Sequence, residues 1–241
     1  MNHDLSRLKI LREFVFTLLL ASVMASSQSA AQTPATPASA PDDMRFYSVS
    51  YIEVNPSTRS KALTTLRQYR NEVHKDSANI RTEFFEQIDR SGHFVIVETW
   101  KTQAAFDASA SARKHLADAV QAVRLSDWDT RPYKTLSVAS EPAEAGDGAI
   151  VVITHVDVSP DPAVAPMLTT LAEASRRESG NMRFDALLHT MRANHFEIIE
   201  TWQSRKALDA HAAAAHTRKY RDDLQRFLGS PLDERMFKGI K

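Results

Sequence analysis

The sequence predicts an α+β protein in which one β-α-β-β-α-β unit occurs twice and the two sheets pack together. The first observation is a repeat: residues 93–100 read His-Phe-Val-Ile-Val-Glu-Thr-Trp, and residues 195–202 read His-Phe-Glu-Ile-Ile-Glu-Thr-Trp, 102 residues later. The second is that the same order of strand and helix patterns surrounds both copies. The third is that strand 93–100 is largely apolar on both faces. A repeat of this length is domain-sized, whereas solenoid repeats have roughly 20–50 residues.

Each half begins with a strand and a helix. Residues 46–54 alternate between apolar and polar side chains, which is typical of a half-buried strand, and residues 149–158 correspond to them. The helices that follow have residues at helical spacing, namely Leu63, Leu66, Tyr69 and Val73 in the first half and Met167, Leu168, Leu171 and Ser175 in the second. Ser159 followed by Pro160 predicts the start of the helix in the second half.

A β-hairpin comes next in each half. Its turn reads Arg-Ser-Gly at residues 90–92 and Arg-Ala-Asn at residues 192–194. Gly92 and Asn194 are the residue types that adopt positive φ most easily, so we expect the same turn geometry in both copies.

A second helix and a last strand complete each half. Thr102 and Ser204 predict the N-caps of two Ala-rich helices, and residues 129–136 and 233–240 form the final strands. The resulting order is that of the ferredoxin-like split unit. Because both helices cover one face of the sheet, the other face needs a partner, and we expect the sheet of the other half to supply it. The alternative is two independent domains.

Residues 1–31 have the layout of a secretory signal peptide. Arg7, Lys9 and Arg12 precede a largely apolar stretch at 14–25, and Ser-Ala-Ala at 29–31 offers small residues before a cleavage site. A membrane anchor is the alternative, but the stretch is shorter than the about 20 apolar residues that a spanning helix needs. We therefore expect a periplasmic or secreted protein.

Two segments rich in small residues and proline divide the rest of the chain. They are predicted flexible linkers at 32–43 and 141–148, and they leave structured units at 44–140 and 149–241. Units of this size can fold around cores of their own.

Charge and cysteine content exclude several classes of protein. The chain has 30 Lys+Arg and 30 Asp+Glu, which is unlike the basic footprint of a nucleic-acid binder. After the first 31 residues no segment is long and apolar enough to span a membrane. The chain has no cysteine, so disulfides and thiolate chemistry are excluded.

The second half carries a motif with a known parallel. Glu200, Trp202 and Ser204 form Glu-x-Trp-x-Ser, and His211, His216 and Tyr220 follow it. This pattern resembles the antibiotic-biosynthesis monooxygenase family, and its quinol-monooxygenase branch most of all. The resemblance extends from about residue 46 to the C-terminus. In the first half it is weaker: Glu98 and Trp100 match, but Ser109 and Lys114 stand in place of the two histidines, with His115 one position out of register.

The resemblance implies a fold and a chemistry. The family unit dimerises into an α+β barrel, which this chain would build from its own halves as an internal pseudo-dimer. Members oxidise phenolic or quinol-type rings with O₂ and without metal, flavin or haem, and a related branch binds and degrades haem in the cavity between sheet and second helix. Aromatic-polyketide oxygenases of the family have an Asn four residues before the Trp, where this chain has Ile96 and Ile198.

His216, His211 and Glu200 are the candidate catalytic residues. On a continuous helix His216 would lie on the same arc as Tyr220 and face the sheet, and its ordinary pKa near 6.5 suits a proton acceptor. The alternative is a histidine at the edge of the core. His211 would point about 140° away, so we expect no shared metal. Glu200 is expected to be buried, with a raised pKa or a partner such as Arg183.

Trp202, Tyr220 and Trp100 are the candidate substrate-binding residues, although a tryptophan is more often plain core. The predicted function is an exported, cofactor-independent monooxygenase that acts with O₂ on quinol-like or polyphenolic compounds. One alternative is a non-catalytic barrel that binds small molecules. Haem binding or degradation, with His211 as the iron ligand, is the less favoured alternative.

Overall fold

The computed structural model describes residues 43–139 and 147–240. The first half contains β1 (Phe46–Glu53), α1 (Arg59–Val73), β2 (Asn79–Gln87), β3 (His93–Trp100), α2 (Gln103–Ala108), α3 (Ala110–Gln121) and β4 (Asp129–Ser137). The second half contains β5 (Ile150–Asp157), α4 (Val164–Ser175), β6 (Asn181–His189), β7 (His195–Trp202), α5 (Arg205–Ala213), α6 (Ala215–Leu224) and β8 (Asp233–Gly239). The predicted signal peptide and almost all of both predicted linkers lie outside the described residues.

The eight strands form one closed barrel in the order β1-β3-β2-β8-β5-β7-β6-β4. Two seams join the halves, because β2 pairs antiparallel with β8 and β4 pairs antiparallel with β6. Neighbouring strands within each half are also antiparallel. The predicted α+β barrel built from two βαββαβ units of one chain is therefore confirmed, and the alternative of independent domains is wrong.

Three apolar clusters explain why the central strands are apolar on both faces. One cluster fills the barrel and includes Val95 and Val97 of β3 and Ile199 of β7. The other two lie between the outer surface of the sheet and the helices of each half, with Trp100 in one and Trp202 in the other. Successive side chains of a strand point to opposite faces, so each strand contributes to one outer cluster and to the interior.

The helix starts follow the sequence in two places and depart from it in one. The Thr102 and Ser204 side chains accept hydrogen bonds from the amides of Ala105 and Ala207, as expected for N-caps. The predicted start at Ser159 is wrong, because α4 begins only at Val164. Pro162 disfavours helical backbone at the residue before it, which delays the helix.

The two hairpin turns use different geometry. Gly92 has φ 86°, and a Cβ there would lie 2.5 Å from the Val54 carbonyl oxygen. Asn194 is not among the described residues with positive φ, so the expectation of matching turns is wrong. Its side-chain Nδ2 instead donates a hydrogen bond of 2.8 Å to the Val158 carbonyl oxygen. Asn194 thereby holds the strand end through its side chain.

The second helix of each half is interrupted. The break falls at Ser109 between α2 and α3 and at Ala214 between α5 and α6. Ala214 is extended, with φ −65° and ψ 146°. Within residues 43–139 and 147–240, no helix has the length and hydropathy needed to cross a membrane.

Candidate active site

The break at Ala214 brings two candidate histidines together. His211 lies near the end of α5 and His216 near the start of α6, and their ring centroids are 5.9 Å apart. The expectation that they diverge by about 140° is wrong, because it assumed one continuous helix. The extended residue between the two helices turns the second imidazole back toward the first.

Glu178 connects the two histidines. It lies in the turn between α4 and β6, and its Oε1 is 2.6 Å from His211 Nδ1 and 2.9 Å from His216 Nε2. Thr217 Oγ1 is 3.2 Å from the same His211 nitrogen. The sequence motif does not include Glu178, although Gly180 two residues later marks an unusual turn at this point. Gly180 has φ 83°, and a Cβ there would lie 2.7 Å from the Cβ of Ala207.

His211 is held against the sheet. Its ring stacks on Trp202 at a centroid distance of 4.6 Å and meets Phe184 edge-on at 5.6 Å. The residue is only 4 % exposed. This burial lowers the pKa of His211, and the hydrogen bond to Glu178 opposes the shift. His211, and not His216 as expected, is therefore the histidine that faces the sheet.

Glu200 lies beneath His211. It accepts a hydrogen bond of 2.8 Å from Trp202 Nε1, and its Oε2 is 3.6 Å from His211 Nε2. Burial raises the pKa of the Glu200 carboxyl to about 8, although the bond from Trp202 works against the rise. A carboxyl with that pKa is mostly protonated at neutral pH. The expected raised pKa is thus present.

The expected pairing of Glu200 with Arg183 is wrong. Arg183 is opposite Thr201 in the β6–β7 register, so its side chain is on the other face of the sheet from Glu200. It donates hydrogen bonds of 2.6 Å to Asp185 and 2.7 Å to Glu83. Glu83 belongs to the first half, so this buried arginine links the two halves of the barrel.

A pocket of about 290 Å³ lies between α4 and α6. Its wall is mostly aliphatic and aromatic, and consists of Pro166, Met167, Thr170, Leu171, His216, Lys219, Tyr220 and Asp223. Trp202 is fully buried and does not line it. Whereas the cavity that the family resemblance implies lies between the sheet and the second helix, this pocket lies between two helices. Its volume is at the lower end of the roughly 300–1,000 Å³ typical of ligand sites, which suits one small aromatic molecule.

Two of the predicted residues, His216 and Tyr220, line this pocket. The His216 side chain is 31 % exposed, whereas Tyr220 is 7 % exposed. The Tyr220 hydroxyl has no hydrogen-bond partner among the described residues. Burial, followed by the charge of Glu200, raises the pKa of this phenol, so it stays protonated and able to donate. An unpaired buried donor of this kind is uncommon in folded proteins.

In the first half an aromatic ring and an arginine occupy the region equivalent to the histidine pair. Trp100 is fully buried, meets Phe106 edge-on at 6.2 Å and belongs to the core of this half. The Arg113 guanidinium lies 3.6 Å from the centre of the Phe106 ring and donates to Ser109. His115 is solvent-exposed, 3.5 Å from Glu72.

A larger pocket of about 820 Å³ lies elsewhere, at the β2–β8 seam. Arg70 and Lys238 contribute to its wall together with residues of β2 and the start of β5. None of the six predicted site residues lines it. The large size of this pocket therefore does not connect it with the predicted catalytic or substrate-binding residues.

These features define a tandem α+β barrel with a candidate site in its second half. The sequence profile of the family named "Antibiotic biosynthesis monooxygenase" matches residues 45–121 and 149–223, one match in each half. The chain belongs to this family. No curated protein matches the sequence.

Solved structures show the same fold at low sequence identity. A "putative monooxygenase" from Fusobacterium nucleatum is similar with a TM-score of 0.74 at 15 % identity, over 82 % of this chain and 93 % of that one. Another from Lactobacillus acidophilus has a TM-score of 0.65 at 12 % identity, over 81 % and 94 %. An anthrone oxidase-like protein has a TM-score of 0.64 at 10 % identity, over 83 % and 92 %. Family and fold together support a monooxygenase-like function.

Proposed function

We propose that the protein is an exported monooxygenase that uses O₂ to oxidise quinol-like or polyphenolic compounds without a bound cofactor. The observation that carries the proposal is the position of His216. It lies in the wall of an apolar pocket and is hydrogen-bonded through Glu178 to the buried His211. This arrangement provides a proton acceptor beside a space that fits an aromatic ring. Export rests on the basic and apolar pattern of residues 1–31.

His216 takes the phenolic proton in this mechanism. When its Nε2–H donates to Glu178, its Nδ1 is the ring nitrogen that can accept a proton. The Glu178 carboxylate then stabilises the imidazolium that forms. Met167 and Leu171 contribute apolar surface for the ring.

The deprotonated quinol is its own reductant and passes electrons to O₂. A hydroquinone and one O₂ give a hydroxyquinone and one water, so one oxygen atom enters the ring and the other leaves as water. We assign to the Tyr220 hydroxyl, which is buried and has no hydrogen-bond partner among the described residues, the donation of a hydrogen bond to a developing oxyanion. It would take the part played in related oxygenases by an amide where this chain has Ile198.

Oxygen uptake with a panel of hydroquinones and polyphenols tests the proposal. We expect His216→Ala to lower uptake by at least about 100-fold, the usual size of a general-base contribution. His115→Ala is the matched control, since His115 is an exposed histidine beside a glutamate in the first half. Equal uptake by wild type and His216→Ala would exclude His216 as the base. Ligand binding without turnover would favour the non-catalytic barrel.

The geometry gives no support to haem ligation by His211. One ring nitrogen is bonded to Glu178, the other faces Glu200, and one face is covered by Trp202. We expect no Soret shift when haem is added, and a shift that is lost in His211→Ala would reverse this view.

A further inference from the structure

We propose that Glu178, His211 and His216 form a binding site for a divalent transition-metal ion, with Zn²⁺ as the best fit. The donor atoms of the three side chains all lie within 4.8 Å of one another. Two imidazoles and one carboxylate are a common protein ligand set for zinc, with a fourth position left to water. The sequence argument against a shared metal relied on a continuous helix, which the extended Ala214 removes.

The present spacing needs little change to hold an ion. In a tetrahedral site with Zn–N distances of about 2.0–2.1 Å, neighbouring donor atoms lie roughly 3.3 Å apart. Glu178 Oε1 is already 2.6 Å and 2.9 Å from the two histidine nitrogens. An ion would replace the protons shared in these hydrogen bonds. The partly exposed His216 gives it a route from solvent and can rotate to complete the geometry.

The surroundings of His211 are those of a metal ligand. It would coordinate through Nδ1, which leaves Nε2–H facing Glu200 Oε2 at 3.6 Å, slightly longer than a hydrogen bond. Histidines that bind metals usually direct the other nitrogen to a carboxylate in this way. The stacked Trp202 and the edge-on Phe184 fix the ring plane. Imidazole ligands favour zinc, copper, nickel and cobalt over magnesium and calcium.

Metal occupancy would switch off the base described above. An ion on His216 Nε2 leaves the proton on Nδ1, so the ring can no longer accept one from a phenol. This consequence rests on the proposed function, whereas metal binding itself does not. The two are therefore tested by separate measurements on the same full-length protein.

Calorimetric titration with Zn²⁺ after chelator treatment tests the site. We expect one ion per chain, and at least about 100-fold weaker binding in His216→Ala and in Glu178→Gln, since even indirect partners of metal-bound histidines contribute about 10–100-fold. Thermal unfolding checks that each variant is folded, and His216→Ala changes a partly exposed side chain.

His195→Ala is the matched control, because the His155 and His195 rings also meet, with centroids 5.5 Å apart. We expect it to leave the zinc affinity unchanged. Binding that survives both site variants, or no binding at all, would overturn the site. If zinc binds but oxygen uptake is not reduced, the switching consequence is wrong. If metal-free protein shows no uptake with any quinol, the proposed function fails while the calorimetry still decides the metal site.

Discussion

The two halves share a sheet and a buried tryptophan but surround that tryptophan differently. In the second half Trp202 stacks on His211, whereas in the first half Trp100 meets Phe106. The glutamate two residues earlier also differs, since Glu200 accepts from Trp202 and Glu98 accepts from Tyr69. Both halves therefore use the tryptophan as core, and they differ in what the interrupted helix places beside it.

The turn before the hairpin also differs between the two halves. Asp76 in the first half uses its carboxylate locally, accepting a hydrogen bond of 2.8 Å from the Ala78 amide. Its counterpart Glu178 is one methylene longer and instead reaches two histidines. Gly180, the counterpart of Ala78, has positive φ. The longer side chain of Glu178 and the glycine at position 180 thus make this turn part of the candidate site.

Trp202→Ala and Trp100→Ala should have the largest effect, and it should be similar in both halves. Each removes a fully buried side chain, so we expect each to lower the free energy of unfolding by about 3–5 kcal/mol. Urea denaturation measures both. If only one of the two variants lost stability, the two tryptophans would not be equivalent in packing.

His211→Ser should lower oxygen uptake, whereas the reverse change in the first half should not raise it. It gives the second half the residue found at Ser109, and we expect quinol-dependent oxygen uptake to fall by about 100-fold, because Glu178 and His216 lose their buried partner. The reverse change, Ser109→His, should add no activity, since Asp76, the counterpart of Glu178, is shorter and accepts a hydrogen bond from the Ala78 amide. A gain in Ser109→His would contradict the importance of the turn.

Gly180→Ala should be more harmful than Ala78→Gly. An alanine at φ 83° is strained, and its Cβ would lie 2.7 Å from that of Ala207, so we expect a loss of about 1–3 kcal/mol in stability. Ala78→Gly should cost less than about 1 kcal/mol. Thermal unfolding distinguishes the two, and equal losses would mean that the glycine is not needed for the turn.

Glu200→Gln should remove a pH dependence. The native carboxyl has a pKa of about 8, whereas a glutamate in an unfolded chain titrates near about 4.3. Between these values the native state keeps a proton that the unfolded state has lost, so stability falls as pH rises through this window. Glu200→Gln should flatten that fall, and the exposed Glu173→Gln should not. An unchanged slope in Glu200→Gln would show that Glu200 is ionised in the native protein.

The fold was predictable because the repeat and the strand patterns depend on local residue spacing. The interrupted helix was not predictable, since residues 212–215 are all alanine, the strongest helix former. Packing of His211 on Trp202 and its bond to Glu178 override that preference. The motif does not include Glu178, because this residue lies in a turn outside it. The pocket between α4 and α6 was not predictable either, because the position of His216 in its wall depends on the helix break.

The two seams between β2 and β8 and between β4 and β6 have an evolutionary consequence. When a barrel assembles from two identical chains, every substitution appears at both symmetry-related positions. Here both partners are encoded in one polypeptide, so each position can mutate alone. Ser109 and Lys114 in the first half, opposite His211 and His216 in the second, are positions at which the two halves differ in this way.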